Sequence, residues 1–193
     1  MNTWRKLWLS VLATALITAI LPAQAEVTWD QVKQKITSAK SYSVTYKYNG
    51  PQGIYDFDYR WGGPDKIRTE VTQAKSDPSK KGSVIVYDKS WKADQVRAKT
   101  GGGVITRNLT HKDVAGRPFA TSLYGMILDQ VKSLGKPKAT AQGDKTLFTF
   151  GSEYSVWANS KGEIVKTERK DGRGKEVREF SNAKWDNSPA VGF

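Results

Sequence analysis

The 193-residue chain contains no cysteine, one histidine and two methionines. Without thiols it can form no disulfide, hold no metal through sulfur and use no thiolate nucleophile. The single histidine, His111, stands between Thr110 and Lys112. It gives no imidazole pair for a zinc site, and no H-E-x-x-H pattern occurs. No G-x-S-x-G elbow is present. Gly172-Arg173-Gly174-Lys175 lacks the spacing and the hydroxyl residue of a phosphate-binding loop, and a β-turn is the expected reading. Long hydrophobic runs are also missing. The longest, Leu7 to Leu21, covers about 15 residues, where a bilayer span needs ~20. These absences leave no catalytic residue, metal or cofactor to assign, and a non-catalytic protein is expected.

The short apolar run has a different meaning. Arg5 and Lys6 precede it, and Pro22-Ala23-Gln24-Ala25 ends it with a small-x-small site. Positive, apolar and cleavage regions in that order make an export signal. Cleavage after Ala25 is expected, with residues 26–193 forming one periplasmic domain. No cysteine follows the site, which closes the lipobox route of lipidation. The chain carries 31 Lys and Arg against 19 Asp and Glu, for a net charge of +12. The signal holds two of those basic residues, leaving +10 on the exported part. Such a charge favours anionic surfaces. Outside the cytoplasm these are lipid head groups or acidic polymers, not nucleic acid. The basic residues are spread through every segment, as on a solvated surface.

Order along the chain is legible from periodicity. Thr28 and Gln31 form a capping box before Trp29, Val32, Ile36 and Ala39, an apolar stripe at helical spacing. A helix is expected to Lys40. Tyr42, Val44, Tyr46 and Tyr48 then alternate with polar residues, and so do Tyr55, Phe57, Tyr59 and Trp61. A period of two means strands with one aromatic face. Ile67, Thr69 and Val71 continue the pattern after Gly62-Gly63-Pro64-Asp65. Strands are expected at Ser83–Tyr87, Trp91–Ala98 and Val104–Leu109. A second helix is expected over Leu123–Leu134, capped by Thr121 or Ser122 and closed by Gly135. Four further strands follow, near 147–150, 154–158, 164–169 and 176–181. No internal repeat or linker interrupts the order. Helix, about six strands, helix and about four strands argue α+β: a curled antiparallel β-sheet, or half-barrel, covered by two lid helices.

Two side-chain groups invite chemistry. Asp56 and Asp58 lie two apart on one strand face, as paired glycosidase carboxylates would; the bland reading is a solvated face answered by Lys47. The aromatic face has two readings as well. The rings either form a packed core under the helices, or leave a space that an acyl chain fills.

The sequence of parts resembles the periplasmic outer-membrane lipoprotein carrier and sorting superfamily (LolA/LolB-like). The similar segments are Ser41 to Tyr46 after an amphipathic helix, the strand-turn Gly62-Gly63-Pro64-Asp65-Lys66-Ile67-Arg68, the pair Val84 to Trp91, and Tyr154 to Arg169. The carriers often place an Arg before the turn proline, where this chain has Gly63. The resemblance implies an open half-barrel whose concave face holds acyl chains, without catalysis or cofactor. An acylated lipoprotein or lipid is the implied ligand, bound by a monomer that could serve as a carrier to the outer membrane. The alternative is a sensor of the same fold that binds a membrane protein partner. Candidate cavity-lining residues are Tyr46, Phe57, Tyr59, Trp61, Ile67 and Trp91 of the sheet, with Tyr124, Ile127 and Val131 of the lid. Arg68 is the candidate polar contact at the mouth.

Overall fold

Alternation becomes register in the computed structural model, which describes residues 27–64, 66–88, 95–100, 103–108, 122–172 and 174–193. Helix α1 (Trp29–Ser38) starts at the expected capping box. The Thr28 hydroxyl accepts from the Gln31 N–H, and the Gln31 side chain accepts from the Thr28 N–H. The helix ends two residues earlier than expected, because Ala39 turns to extended backbone. Val32 and Ile36 are buried beneath it.

Six strands follow: β1 (Tyr42–Gly50), β2 (Gly53–Trp61), β3 (Lys66–Ala74), β4 (Val84–Asp88), β5 (Gln95–Thr100) and β6 (Gly103–Asn108). Between β3 and β4 the expected polar loop contains a short 3₁₀ turn, Pro78–Lys80. Helix α2 (Leu123–Lys132) comes next, and then β7 (Lys138–Gln142), β8 (Lys145–Phe150), β9 (Tyr154–Asn159), β10 (Ile164–Asp171) and β11 (Gly174–Trp185). The expected start of the fifth strand at Trp91 and the segment around His111 fall outside the described residues.

Among the described residues, eleven strands form one antiparallel sheet in the order β6-β5-β4-β3-β2-β1-β11-β10-β9-β8-β7. It curls without closing, so β6 and β7 are its edges. Two meanders meet at the β1–β11 seam, where Tyr46 faces Phe180 and Tyr42 faces Trp185. Short turns explain the meanders, since antiparallel neighbours need few residues to connect. Gly53 closes the β1–β2 hairpin at φ +118°, a conformation that side chains other than glycine rarely adopt.

The sequence reading misses β7. Its five residues, KATAQ, are all exposed, so no apolar alternation marks them. Pairing with β8 creates the strand, with Ala139 opposite Phe148. Lysine at such an edge discourages pairing with another chain. The last strand also runs beyond expectation, to Trp185. A bulge at the β1–β11 seam, with Asn182 at φ +55°, rephases it. A bulge bends a strand and resets which face later residues take. That is how Trp185 returns to the aromatic face.

Candidate functional site

The rings on the β1–β2 face pack against one another and against α2. Tyr42 lies within 4.9 to 5.9 Å, ring centre to ring centre, of Tyr59, Trp61, Tyr124 and Trp185. Tyr46 stacks on Phe57 at 4.7 Å and meets Phe180 at 5.9 Å. Offset and tilted pairs of this kind add to simple area burial.

Two of these rings also hold the helix. The Leu123 N–H donates to the Tyr59 hydroxyl at 3.0 Å, and the Tyr124 N–H donates to the Tyr42 hydroxyl at 3.1 Å. The Gly125 N–H donates to Ser122 Oγ at 2.9 Å. A helix leaves its first four N–H groups without intrahelical partners. Here the sheet supplies acceptors for two of them and the N-cap serine a third. Glycine at 125 leaves room for that cap, because a Cβ there would stand 2.7 Å from Ser122 Oγ. Burial pushes the Tyr42, Tyr46, Tyr59 and Tyr124 phenols well above their ordinary range. They are neutral at any physiological pH.

The ring residues named from the sequence therefore stand in the core. Tyr46, Tyr59, Ile67, Tyr124, Ile127 and Val131 are buried, while Phe57 and Trp61 are half-buried against them. Trp91 lies outside the described residues. Arg68 is placed on the opposite face. Strand alternation sends it away from Ile67, and it pairs with Glu70 at 2.7 Å. Its Nε donates to the Gly192 carbonyl at 3.0 Å, so it holds the C-terminal segment instead of a concave mouth. Arg60 does the same for the Ala190 carbonyl at 3.3 Å. Asp56 and Asp58 share that outer face. Asp56 stands opposite Lys47, and Asp58 pairs with Arg60 at 3.0 Å.

Open space lies elsewhere. A cavity of about 770 Å³ sits between α1, α2, the segment 135–137 and strands β7–β8. Trp29, Leu128, Val131, Pro137, Phe148 and Phe150 give it an apolar lining. Trp29 packs on Phe148 and Phe150 at 5.3 and 4.9 Å. Lys33, Lys132 and Lys136 stand around it with Asp30 and Asp129. Lys33 pairs with Asp30 at 2.6 Å and holds that carboxyl below its usual range. Of the eight expected lining residues that are described, Val131 alone borders this cavity. The sequence signal for it is the Trp29 stripe of α1, apolar at helical spacing. Phe148 and Phe150 carried the other half of the signal, as an alternating pair on β8.

Comparison with solved structures places the fold. LppX, a lipoprotein of Mycobacterium tuberculosis, superposes with a TM-score of 0.52 at 16% identity, over 84% of this chain and 95% of that one. A LolA superfamily protein from Nitrosomonas europaea matches at TM-score 0.41 and 11% identity, over 80% and 90%. The complex of MucA and MucB from Pseudomonas aeruginosa matches at TM-score 0.44 and 12% identity, over 83% of this chain and 56% of that one. The superposition on LppX shows that the two chains share a fold. No protein-family profile matches the sequence. No curated protein sequence matches it either.

Proposed function

We propose that this chain is exported to the periplasm, loses residues 1–25, and binds an acyl chain of a lipid or lipoprotein without catalysis. One observation carries the reading: the apolar cavity of about 770 Å³ between the two helices and the sheet. Ligand sites have this size and combine an apolar lining with polar groups. In this reading α1 and α2 are the lid, and the acyl chain lies against Trp29, Phe148 and Phe150. The buried rings of β1 and β2 are the rigid floor that fixes α2, not the lining. Eight buried methylenes would contribute about 6 kcal/mol. That suits a reversible carrier better than a permanent store.

Trp29 is the natural reporter. Titration of the periplasmically expressed protein with a brominated fatty acid should quench Trp29 fluorescence, and Trp29→Phe should remove the change. Ala139→Trp places a ring in the cavity from an exposed edge strand. It should weaken binding about tenfold or more while leaving the urea midpoint unchanged. Unimpaired binding in folded Ala139→Trp would refute the assignment. So would a protein that takes up no acyl probe yet captures a membrane protein.

A further inference from the structure

The cavity between the helices carries charge as well as apolar wall. Lys33, Lys132 and Lys136 border it, with Asp30 and Asp129. These five residues come from the start of α1, the end of α2 and the segment that follows α2. Gly135, at φ +82°, turns the chain after α2, and Lys136 comes next beside the cavity. All five side chains belong to exposed residues, so a ligand group can reach them.

The five charges are not equally committed. Lys33 bonds to Asp30 at 2.6 Å and draws that carboxyl below its usual range, and Lys136 adds a weaker pull. Lys132, Lys136 and Asp129 make no side-chain hydrogen bond or ion pair among the described residues. One pair is therefore closed, and two ammonium groups stand open against one carboxylate. The helix backbones do not decide the sign. The first turn of α1 brings the positive end of a helix dipole to the cavity, and the last turn of α2 brings a negative end.

An open ammonium on a protein surface is ordinarily just hydrated. These two differ in what lies beside them. A lysine lays its methylene stem along apolar surface and keeps its head in water. An amphiphile that enters this cavity chain first does the same, which leaves its head group level with the ammonium groups. An anionic head is attracted there by both lysines. A neutral head gains no such attraction, and a cationic one meets two like charges against one carboxylate.

We propose that the cavity takes an anionic amphiphile, with Lys132 and Lys136 binding the carboxylate or phosphate of its head group. This rests on the acyl reading of the cavity and names the head-group class that the site selects. Lys33 stays with Asp30 and is not part of the contact. Because both lysines are exposed, the selectivity is modest and salt screens it.

The test is calorimetry on the periplasmically expressed protein with dodecyl phosphate, dodecanol and dodecyltrimethylammonium, each below its micelle concentration, and with inorganic phosphate. At low salt dodecyl phosphate should bind about five- to tenfold more tightly than dodecanol, as two exposed ionic contacts allow. The advantage should vanish in about 1 M salt, where screening acts within ~3 Å. Lys132→Gln with Lys136→Gln should erase it as well and leave dodecanol affinity unchanged. Lys75→Gln with Lys81→Gln removes the same charge from the β3–β4 loop and should preserve it. Equal binding of phosphate and alcohol would overturn the head-group site and leave the cavity reading intact. So would an advantage that survives in the Lys132 and Lys136 variant, or tighter binding of the trimethylammonium probe. Inorganic phosphate binding as tightly as dodecyl phosphate would make the lysines a site for free phosphate and overturn the amphiphile assignment. Failure of all three dodecyl probes to bind would overturn the cavity reading itself, and the head-group site with it.

Discussion

Replacing Tyr59 by Phe removes one oxygen and nothing else. The ring is fully buried, and the smaller side chain keeps its packing against Tyr42. Its losses include the acceptor for the Leu123 N–H at the start of α2 and the hydroxyl's hydrogen bond with Tyr42. That N–H lies against the sheet, where water does not replace the phenol. A buried donor left unsatisfied costs about 1–3 kcal/mol. Taking ~2 kcal/mol, the melting temperature should fall by ~4–8 °C for a chain of this size. Urea denaturation should give the same loss with an unchanged slope, because the surface exposed on unfolding does not change. Hydrogen exchange at the Leu123 amide should quicken by more than at the amides of β8. Tyr55→Phe is the comparison, since the Tyr55 hydroxyl accepts only a 3.4 Å bond from half-exposed Lys80. It should cost less than ~0.5 kcal/mol, as surface changes do. A loss below ~0.3 kcal/mol in Tyr59→Phe, with Leu123 still protected, would refute the anchoring role of the phenols.

Alkaline pH should unfold the protein through the same rings. The folded state holds the Tyr42, Tyr46, Tyr59 and Tyr124 phenols above their ordinary range by burial, while the unfolded chain releases those protons near pH 10. Their stability contribution is complete below pH ~10 and falls as pH rises beyond it, by up to about 5 kcal/mol per pH unit for four phenols. Urea midpoints measured from pH 8 to 12, with tyrosinate absorbance, check the sign; an unchanged midpoint at pH 11 would contradict it. Buried Glu176 pairs with Arg178 at 2.7 Å and with Arg169 at 3.3 Å; Glu176→Gln should cost about 3–5 kcal/mol, as breaking a buried pair does, and a thermal melt measures it. Asp186 sits at φ +52°, and its Oδ1 accepts from the Lys40 N–H at 2.7 Å. Asp186→Ala should lose ~1–2 kcal/mol, whereas Asp186→Asn keeps both the acceptor and the backbone preference and should lose less than half of that.

What the sequence determined by itself is what periodicity and capping encode locally. The capping box of Thr28 and Gln31, the alternating rings of β1 and β2, and the Ser122 cap are each complete within a few residues. They gave two helices and most of a meandering sheet in nearly the right places, and the α+β class followed. Alternation also fixes Arg68, which is next to Ile67 and therefore faces the other way. Three features needed the tertiary structure. Strand β7 has no pattern of its own and exists because β8 offers it a partner. Trp185 joins the rings because a bulge rephases β11. The cavity forms between Trp29, α2 and Phe148 with Phe150, and Trp29 lies more than a hundred positions from the two phenylalanines. Periodicity tells which face of an element is apolar, but not how tightly two apolar faces close on one another. That distance is set by the whole fold. Here it turned the richest aromatic face into packed core and left the open space beside it.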